Sequence, residues 1–197
     1  RLVVRKPAGL VLFPGAGSSK DHPSLVAIEE ALSPMPVRRV DFPYRRAGRR
    51  APDRAPVLIA CVKDEVRAFA RELGVPVSRL AIGGRSMGGR MCSMAVADGD
   101  DPLRAAALVL VSYPLHPPAK PDTLRTAHLP AVSAPVLCVS GTKDSFGTPA
   151  ELRCAFRRVP GEVSWVFIEG KGHDLRGCDE RVAGEVRDWL VPRRPRG

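Results

Sequence analysis

The sequence has few aromatic residues, few lysines and no long apolar run. Phe, Trp and Tyr make up 5% of its 197 residues, and only six of its 31 basic residues are lysines. No apolar run approaches the roughly 20 residues that a transmembrane helix needs, and no basic stretch followed by an apolar segment opens the chain. We therefore expect no membrane partner and a cytoplasmic location.

Paired cysteines are also missing. An odd number at scattered spacings, with no CxxC pair, argues against both a disulfide framework and a structural zinc site. Free thiols fit a reducing compartment, and Cys138 lies in an apolar run, where it predicts a small buried hydrophobic residue. No metal is predicted. The five cysteines are Cys61, Cys92, Cys138, Cys154 and Cys178.

The chain carries a formal net charge of +10, and most of its basic residues are arginines, seven of which cluster in the segment 38–54. A cluster of this kind is either a surface for phosphate or another anion, or a solvated face in an arginine-biased protein. The second interpretation is favoured because the arginine-biased composition of the chain accounts for such a cluster. Nucleic acid is therefore not an expected partner. The cluster comprises Arg38, Arg39, Arg45, Arg46, Arg49, Arg50 and Arg54.

Short apolar runs alternate with amphipathic stretches along the chain. This pattern predicts an α/β fold with a doubly wound, mostly parallel sheet of about six strands and helices on both faces. Residues 1–191 are predicted to form a single domain, and 192–197 a frayed tail. The connection 113–134 is too short for a cap domain. The strands are predicted at 9–13, 37–42, 80–83, 105–112, 135–141 and 163–169, and the helices at 24–32, 56–73, 87–97, 149–158 and 180–190.

Residues 84–88 read Gly-Arg-Ser-Met-Gly, which matches G-x-S-x-G between a predicted strand and a predicted helix. In this context the serine occupies a sharp turn above the sheet edge, and the glycines avoid collisions with neighbouring backbone. The helix N-terminus after it suits a developing anion. Ser86 is therefore the predicted nucleophile. The alternative is a glycine-rich turn that only packs or binds phosphate.

A serine hydroxyl needs a base and an orienting acid, which follow the nucleophile in the order Asp or Glu, then His. His173 lies on a glycine-rich loop after the last predicted strand, whereas His22 and His128 are predicted to be solvated. Asp144 follows the strand before it. Asp174 is the alternative acid, but adjacent side chains rarely present the imidazole correctly. We therefore predict Ser86, Asp144 and His173 as the catalytic residues.

The oxyanion hole of such a site combines the N–H after the nucleophile with one from the loop after the first core strand. Met87 supplies the first. The loop Pro14-Gly15-Ala16-Gly17 supplies the second, and Ala16 is the predicted donor.

The segments PGAG, GGRSMGGR, SYPLHPP, SGTKD and GKGHDL, in this order, resemble the small α/β-hydrolase-like family of testis-expressed proteins and their bacterial relatives. That family is in turn similar to dienelactone hydrolases. The resemblance covers Leu10 to about Leu190 and implies the α/β-hydrolase fold, with Ser86 as nucleophile, Asp144 as acid and His173 as base. Relatives usually carry His-Gly where this chain has Pro14-Gly15, so a histidine that helps to hold the oxyanion loop is missing.

Three further residues are candidates for a substrate pocket. Tyr113 and His116 follow a predicted strand that neighbours the strand before Ser86. Either of these residues lines the substrate pocket, or the prolines around them only stiffen the segment and leave His116 exposed. Arg85 either pairs with an acidic neighbour or faces a substrate carboxylate.

We expect a serine hydrolase that cleaves an ester, thioester or related acyl bond of a small-molecule substrate through an acyl-enzyme, without metal or organic cofactor. The alternative is a non-catalytic interaction module that kept the fold. An intact set of three catalytic side chains argues against the module.

Overall fold

The computed structural model describes residues 6–191, so the predicted tail 192–197 lies outside the described residues. Within them six strands form one sheet in the order β2-β1-β3-β4-β5-β6, and every neighbouring pair is parallel. The strands are β1 (Gly9–Phe13), β2 (Val37–Arg39), β3 (Leu80–Arg85), β4 (Ala107–Val111), β5 (Val136–Gly141) and β6 (Val163–Ile168). The four strands other than the edge strands β2 and β6 are apolar over nearly their whole length, as expected for strands covered on both faces.

Helices cover both faces of the sheet. They are α1 (Pro23–Leu32), α2 (Pro43–Arg46), α3 (Ala55–Glu72), α4 (Met87–Val96), α5 (Pro149–Phe156) and α6 (Asp179–Leu190). Helices α1 and α6 pack together over one apolar core, and α3 and α4 pack over the other. Residues next to two of these helices determine where the helices end or begin. Gly74, with a φ of +64°, follows α3, and a capping box between Thr148 and Glu151 begins α5.

The order of the strands reverses direction once, between β1 and β3. The chain first runs outward from β1 to β2 and then returns to the other side of β1 and continues from β3 to β6. Ligands of open parallel sheets bind beyond the carboxyl ends of the strands at such a reversal. The turns that follow β1 and β3 meet there, and these are the predicted oxyanion loop and the predicted nucleophile turn.

The predicted doubly wound sheet with helices on both faces is confirmed, and it is entirely rather than mostly parallel. The second strand is shorter than predicted, because the chain turns after Arg39 and places Phe42 and Tyr44 in the core. Their burial anchors the short helix α2 in a segment predicted as a loop. The connection 113–134 contains only a 3-10 turn, Leu129–Ala131, and forms no cap.

Four of the seven clustered arginines form ion pairs within the described chain. Arg38 pairs with Glu72, and Arg39 reaches Asp21 at 2.8 Å and Glu29 at 2.6 Å. Arg46 reaches Glu65 at 2.5 Å and Arg49 reaches Asp53 at 2.7 Å; each distance joins a guanidinium nitrogen to a carboxylate oxygen. These contacts support the interpretation as a solvated face. Among residues 6–191, no helix combines the length and the apolar character needed to span a membrane.

Candidate active site

Ser86 lies in a strained turn between β3 and α4. Its φ of 51° and ψ of −116° are costly for a residue with a Cβ, and the surrounding structure holds it there. The Ser86 N–H donates to the carbonyl of Val111 at the end of β4, 2.8 Å away, and its carbonyl accepts from the N–H of Arg90 at 3.1 Å. These two bonds fix the backbone so that the side chain projects beyond the sheet edge.

The glycines around Ser86 allow β1, β3 and α4 to approach closely. A Cβ on Gly84 would lie 2.3 Å from the Phe13 carbonyl oxygen, and one on Gly88 would lie 2.2 Å from the same atom. Both distances are far below van der Waals contact. The G-x-S-x-G spacing is therefore needed here because backbone, rather than flexible side chain, occupies the space.

Replacing Gly88 with Ala is expected to lower the free energy of unfolding by about 1–3 kcal/mol, since the Phe13 backbone cannot move without shifting β1. Gly184 in the middle of α6 is the matched control. Nothing lies within 4 Å of its added Cβ, so Gly184→Ala is expected to stabilise by about 0.5–1 kcal/mol through helix propensity. Urea unfolding of the two variants measures both effects. Equal effects in both variants would contradict the close-packing argument.

His173 and Asp144 lie on the turns after β6 and β5 and meet Ser86 at the same sheet edge. His173 Nε2 is 2.8 Å from Ser86 Oγ, and His173 Nδ1 is 2.9 Å from Asp144 Oδ2 and 3.0 Å from Oδ1. A carboxylate can only accept hydrogen bonds, so Nδ1 carries the proton and Nε2 accepts from the Ser86 hydroxyl. The three predicted side chains form one continuous hydrogen-bonded relay.

Backbone contacts hold the His173 loop against the Asp144 turn. The Lys143 N–H donates to the Lys171 carbonyl at 2.8 Å, and the Gly170 N–H donates to Thr142 Oγ1 at 2.9 Å. A Cβ on Gly141 would lie 2.0 Å from the Lys171 oxygen, so the two backbones touch. The turns that carry His173 and Asp144 are thus joined to each other by backbone contacts.

Asp144 is 1% exposed, and two residues that the sequence analysis did not identify complete its surroundings. The Phe146 N–H donates to Asp144 Oδ1 at 2.8 Å, and the Ser140 hydroxyl donates to Oδ2 at 3.3 Å. The Phe146 ring also packs on the His173 ring, with centroids 4.0 Å apart. No sequence motif singles out Phe146, because its role depends on the turn that folds it back over the imidazole.

The predicted oxyanion loop lies directly against Ser86. A Cβ on Gly15 would lie 3.4 Å from the Ser86 Cβ. The amide N–H groups of Met87 and Ala16 make no hydrogen bond to any residue in the described range 6–191, so both remain available as donors. Tyr44 is fully buried, its hydroxyl has no hydrogen-bond partner among the described residues, and burial raises the pKa of this phenol.

Comparison with known proteins identifies the family. A family model described as an alpha/beta hydrolase domain matches residues 6–185. The chain belongs to this α/β-hydrolase family. Similar solved structures include the ferulic acid complex of Est1E from Butyrivibrio proteoclasticus, at 16% identity and a TM-score of 0.73, covering 94% of this chain and 89% of that one.

Two further solved structures share the fold. A dienelactone hydrolase from Anabaena variabilis is 21% identical with a TM-score of 0.72, and the similar region covers 93% of this chain and 86% of that chain. A monoacylglycerol lipase from Paleococcus ferrophilus is 16% identical with a TM-score of 0.69, and the similar region covers 94% of this chain and 95% of that chain. At these identities the likeness shows the α/β-hydrolase fold alone.

The three predicted pocket residues of this α/β hydrolase lie in different surroundings. The Arg85 Nη2 donates to the backbone carbonyl of His173 at 3.2 Å, and burial lowers the pKa of its guanidinium. Tyr113 is 2% exposed, and its hydroxyl donates to the Arg125 carbonyl at 2.7 Å. His116 is 5% exposed, with Nδ1 3.0 Å from the Pro117 carbonyl. Arg85 thus binds the loop that carries His173, whereas the placement of Tyr113 in the core favours the structural interpretation of its segment.

His128 of this hydrolase is not a solvated residue as predicted. Its Nε2 is 2.8 Å from Ser93 Oγ, and Ser93 itself is fully buried and donates to the Arg90 carbonyl. His128 Nε2 therefore carries the proton that bonds Ser93. Burial, with a smaller contribution from the charge of Arg90, lowers the pKa of His128 to about 4. The sequence places His128 in a polar loop and gives no signal that the loop folds onto α4.

The depressed pKa of His128 predicts a loss of stability in acid. The unfolded chain binds a proton below about pH 6.5 and the folded protein only near pH 4, so the free energy of unfolding falls between these values by up to about 3 kcal/mol. Chemical unfolding at pH 7.5 and pH 5 measures this loss. His128→Gln keeps an N–H donor for Ser93 and is expected to show a smaller difference between the two pH values. An unchanged difference would assign the acid sensitivity to other groups.

Proposed function

We propose that this α/β hydrolase is a serine hydrolase that cleaves an ester, thioester or related acyl bond through an acyl-enzyme. The observation that carries the proposal is the relay from Ser86 Oγ through His173 to Asp144, with both hydrogen bonds at 3.0 Å or less. Such a relay supplies an activated nucleophile, a base and an orienting acid in the arrangement that acyl transfer requires.

In the first half of the reaction, Ser86 Oγ forms a bond to the acyl carbon while its proton passes to His173 Nε2. The resulting imidazolium is stabilised by Asp144, and the oxyanion is held by the N–H groups of Met87 and Ala16. Collapse of this intermediate breaks the bond to the leaving group, which takes the proton from His173. In the second half, water gives a proton to His173 and attacks the acyl carbon, and Ser86 leaves with its proton restored.

The fold bears on the kind of substrate. The connection 113–134 forms no cap over the described site, so the Ser86 hydroxyl is reached from an open sheet edge. We infer a small-molecule acyl substrate, small or extended in shape. No step of this reaction requires a metal or an organic cofactor. Membership of the subgroup of testis-expressed proteins and bacterial relatives, a cytoplasmic location and a single domain over residues 1–191 are part of this proposal.

A fluorophosphonate probe tests the proposal, because it phosphonylates an activated serine and releases fluoride. The folded wild-type protein is expected to be labelled, and Ser86→Ala is not. Ser78→Ala is the matched control, since Ser78 is exposed in the 3-10 turn before β3. It is expected to be labelled as fully as the wild type. Wild-type protein that shows no labelling at Ser86 would instead favour the non-catalytic interaction module.

A further inference from the structure

One face of the His173 ring is covered by the ring of Phe146. The two ring centroids are 4.0 Å apart, and the ring planes are tilted by 30°. The edge of the imidazole is engaged elsewhere, since Nε2 contacts Ser86 and Nδ1 contacts Asp144. Phe146 therefore contacts the face of the base while both ring nitrogens take part in the relay.

Backbone hydrogen bonds on both sides of Phe146 fix its position. Its N–H donates to Asp144 Oδ1 at 2.8 Å, and its carbonyl accepts from the N–H of His116 at 3.1 Å. The next N–H along the chain, that of Gly147, donates to the Asp144 carbonyl at 3.3 Å. None of these bonds uses the Phe146 side chain. Its ring can therefore be changed while the turn that carries Asp144 keeps its hydrogen bonds.

The proposed reaction creates a positive charge in this place. His173 becomes an imidazolium when it takes the proton of Ser86, and its side chain is only 18% exposed, so water gives this charge little stabilisation. Asp144 supplies the opposite charge at the ring edge. Arg85, whose Nη2 donates to the His173 carbonyl at 3.2 Å, brings a like charge nearby. A further group that favours the cation therefore lowers the barrier to proton transfer.

We propose that Phe146 stabilises the His173 cation during catalysis through a cation–π interaction; this rests on the proposed hydrolase function. The face of an aromatic ring carries partial negative charge and attracts a cation within about 6 Å of the centroid, most strongly where water is excluded. The neutral imidazole gains less, so the interaction strengthens as the proton moves from Ser86 Oγ to His173 Nε2. Phe146 acts through His173 and is a positioning residue rather than a catalytic one.

The test replaces Phe146 with phenylalanines that carry one, three or five fluorine atoms. Fluorine withdraws electrons from the ring face and nearly preserves the ring's shape, so the attraction for a cation falls stepwise while the packing is kept. The single-turnover burst of p-nitrophenol from a p-nitrophenyl ester measures the acylation of Ser86. We expect its rate constant to fall stepwise, by about 2- to 30-fold with five fluorines, and substrate binding to change little. Phe146→Leu is expected to lose about as much.

Phe167 on β6 controls for a general effect of fluorination. This ring is also partly buried and also lies beside a cation, since the Arg153 guanidinium is 5.1 Å from its centroid, but it stacks on Trp165 rather than on the base. Five fluorines at residue 167 are expected to leave the burst rate constant at the wild-type value. The melting temperatures of all fluorinated proteins verify that they are folded.

The results at the two positions decide the proposal. A stepwise fall at residue 146 with a constant rate at residue 167 supports it. A rate constant that Phe146→Leu lowers but that is equal for all the fluorinated rings would show that Phe146 only packs on the base, and would overturn it. A wild-type protein that gives neither a burst nor fluorophosphonate labelling overturns the hydrolase function and this proposal with it, so the two failures are distinguishable.

Discussion

Ser86→Ala is expected to lower kcat toward p-nitrophenyl esters by about 10⁴-fold or more. The reason is the position of the hydroxyl, 2.8 Å from a base that is itself oriented by a buried carboxylate. Alanine removes the nucleophile but fits the same backbone, since the strained φ of 51° is tolerated by the fold around a residue with a Cβ. The variant should therefore unfold at nearly the wild-type denaturant concentration.

This measurement needs a panel of acyl chain lengths, because an unsuitable substrate lowers the wild-type rate and narrows the observable range. Residual activity from water attacking at an intact oxyanion hole is expected to be independent of the fluorophosphonate probe. A rate that stays within tenfold of the wild type on its best ester would assign the hydrolysis to another group and contradict the mechanism.

A second large loss of kcat is expected when Asp144, the proposed orienting acid, is replaced. Asp144→Asn keeps the size of the side chain and its bond from the Phe146 N–H, but an amide can offer an N–H to the imidazole and favour the wrong tautomer. We expect kcat to fall by about 10⁴-fold. The effect is electronic rather than structural, so the melting temperature should change far less than the rate.

Asp174→Asn is the matched control for this change. Asp174 is adjacent to His173 in the sequence, but it is exposed, and its Oδ1 accepts the Arg176 N–H at 3.3 Å. Its amide variant is expected to keep kcat within a few fold of the wild type. If the two substitutions exchanged their effects, the acid would be Asp174, and the relay described above would not be the one that operates.

The sheet could be predicted from the sequence because buried parallel strands require continuous apolar runs. Runs such as GLVLF in β1 and ALVLV in β4 have few alternatives once glycine and proline mark their ends. The helix after Ser86, predicted at 87–97, is found at Met87–Val96. The end of the edge strand β2 was not predictable, since its three residues are only half-buried and its end is decided by Phe42 and Tyr44 packing into the core.

The sequence alone determined the α/β class of this protein, the position of the nucleophile turn and the order of the three predicted catalytic residues, because these depend on local spacing and on where strands end. Only the tertiary structure decided which groups surround them. The ring of Phe146 over the imidazole and the contact of His128 with Ser93 both depend on loops folding onto distant elements. Hydrophobic patterning encodes the elements, whereas the electrostatic surroundings of a side chain depend on residues that are far away in the sequence.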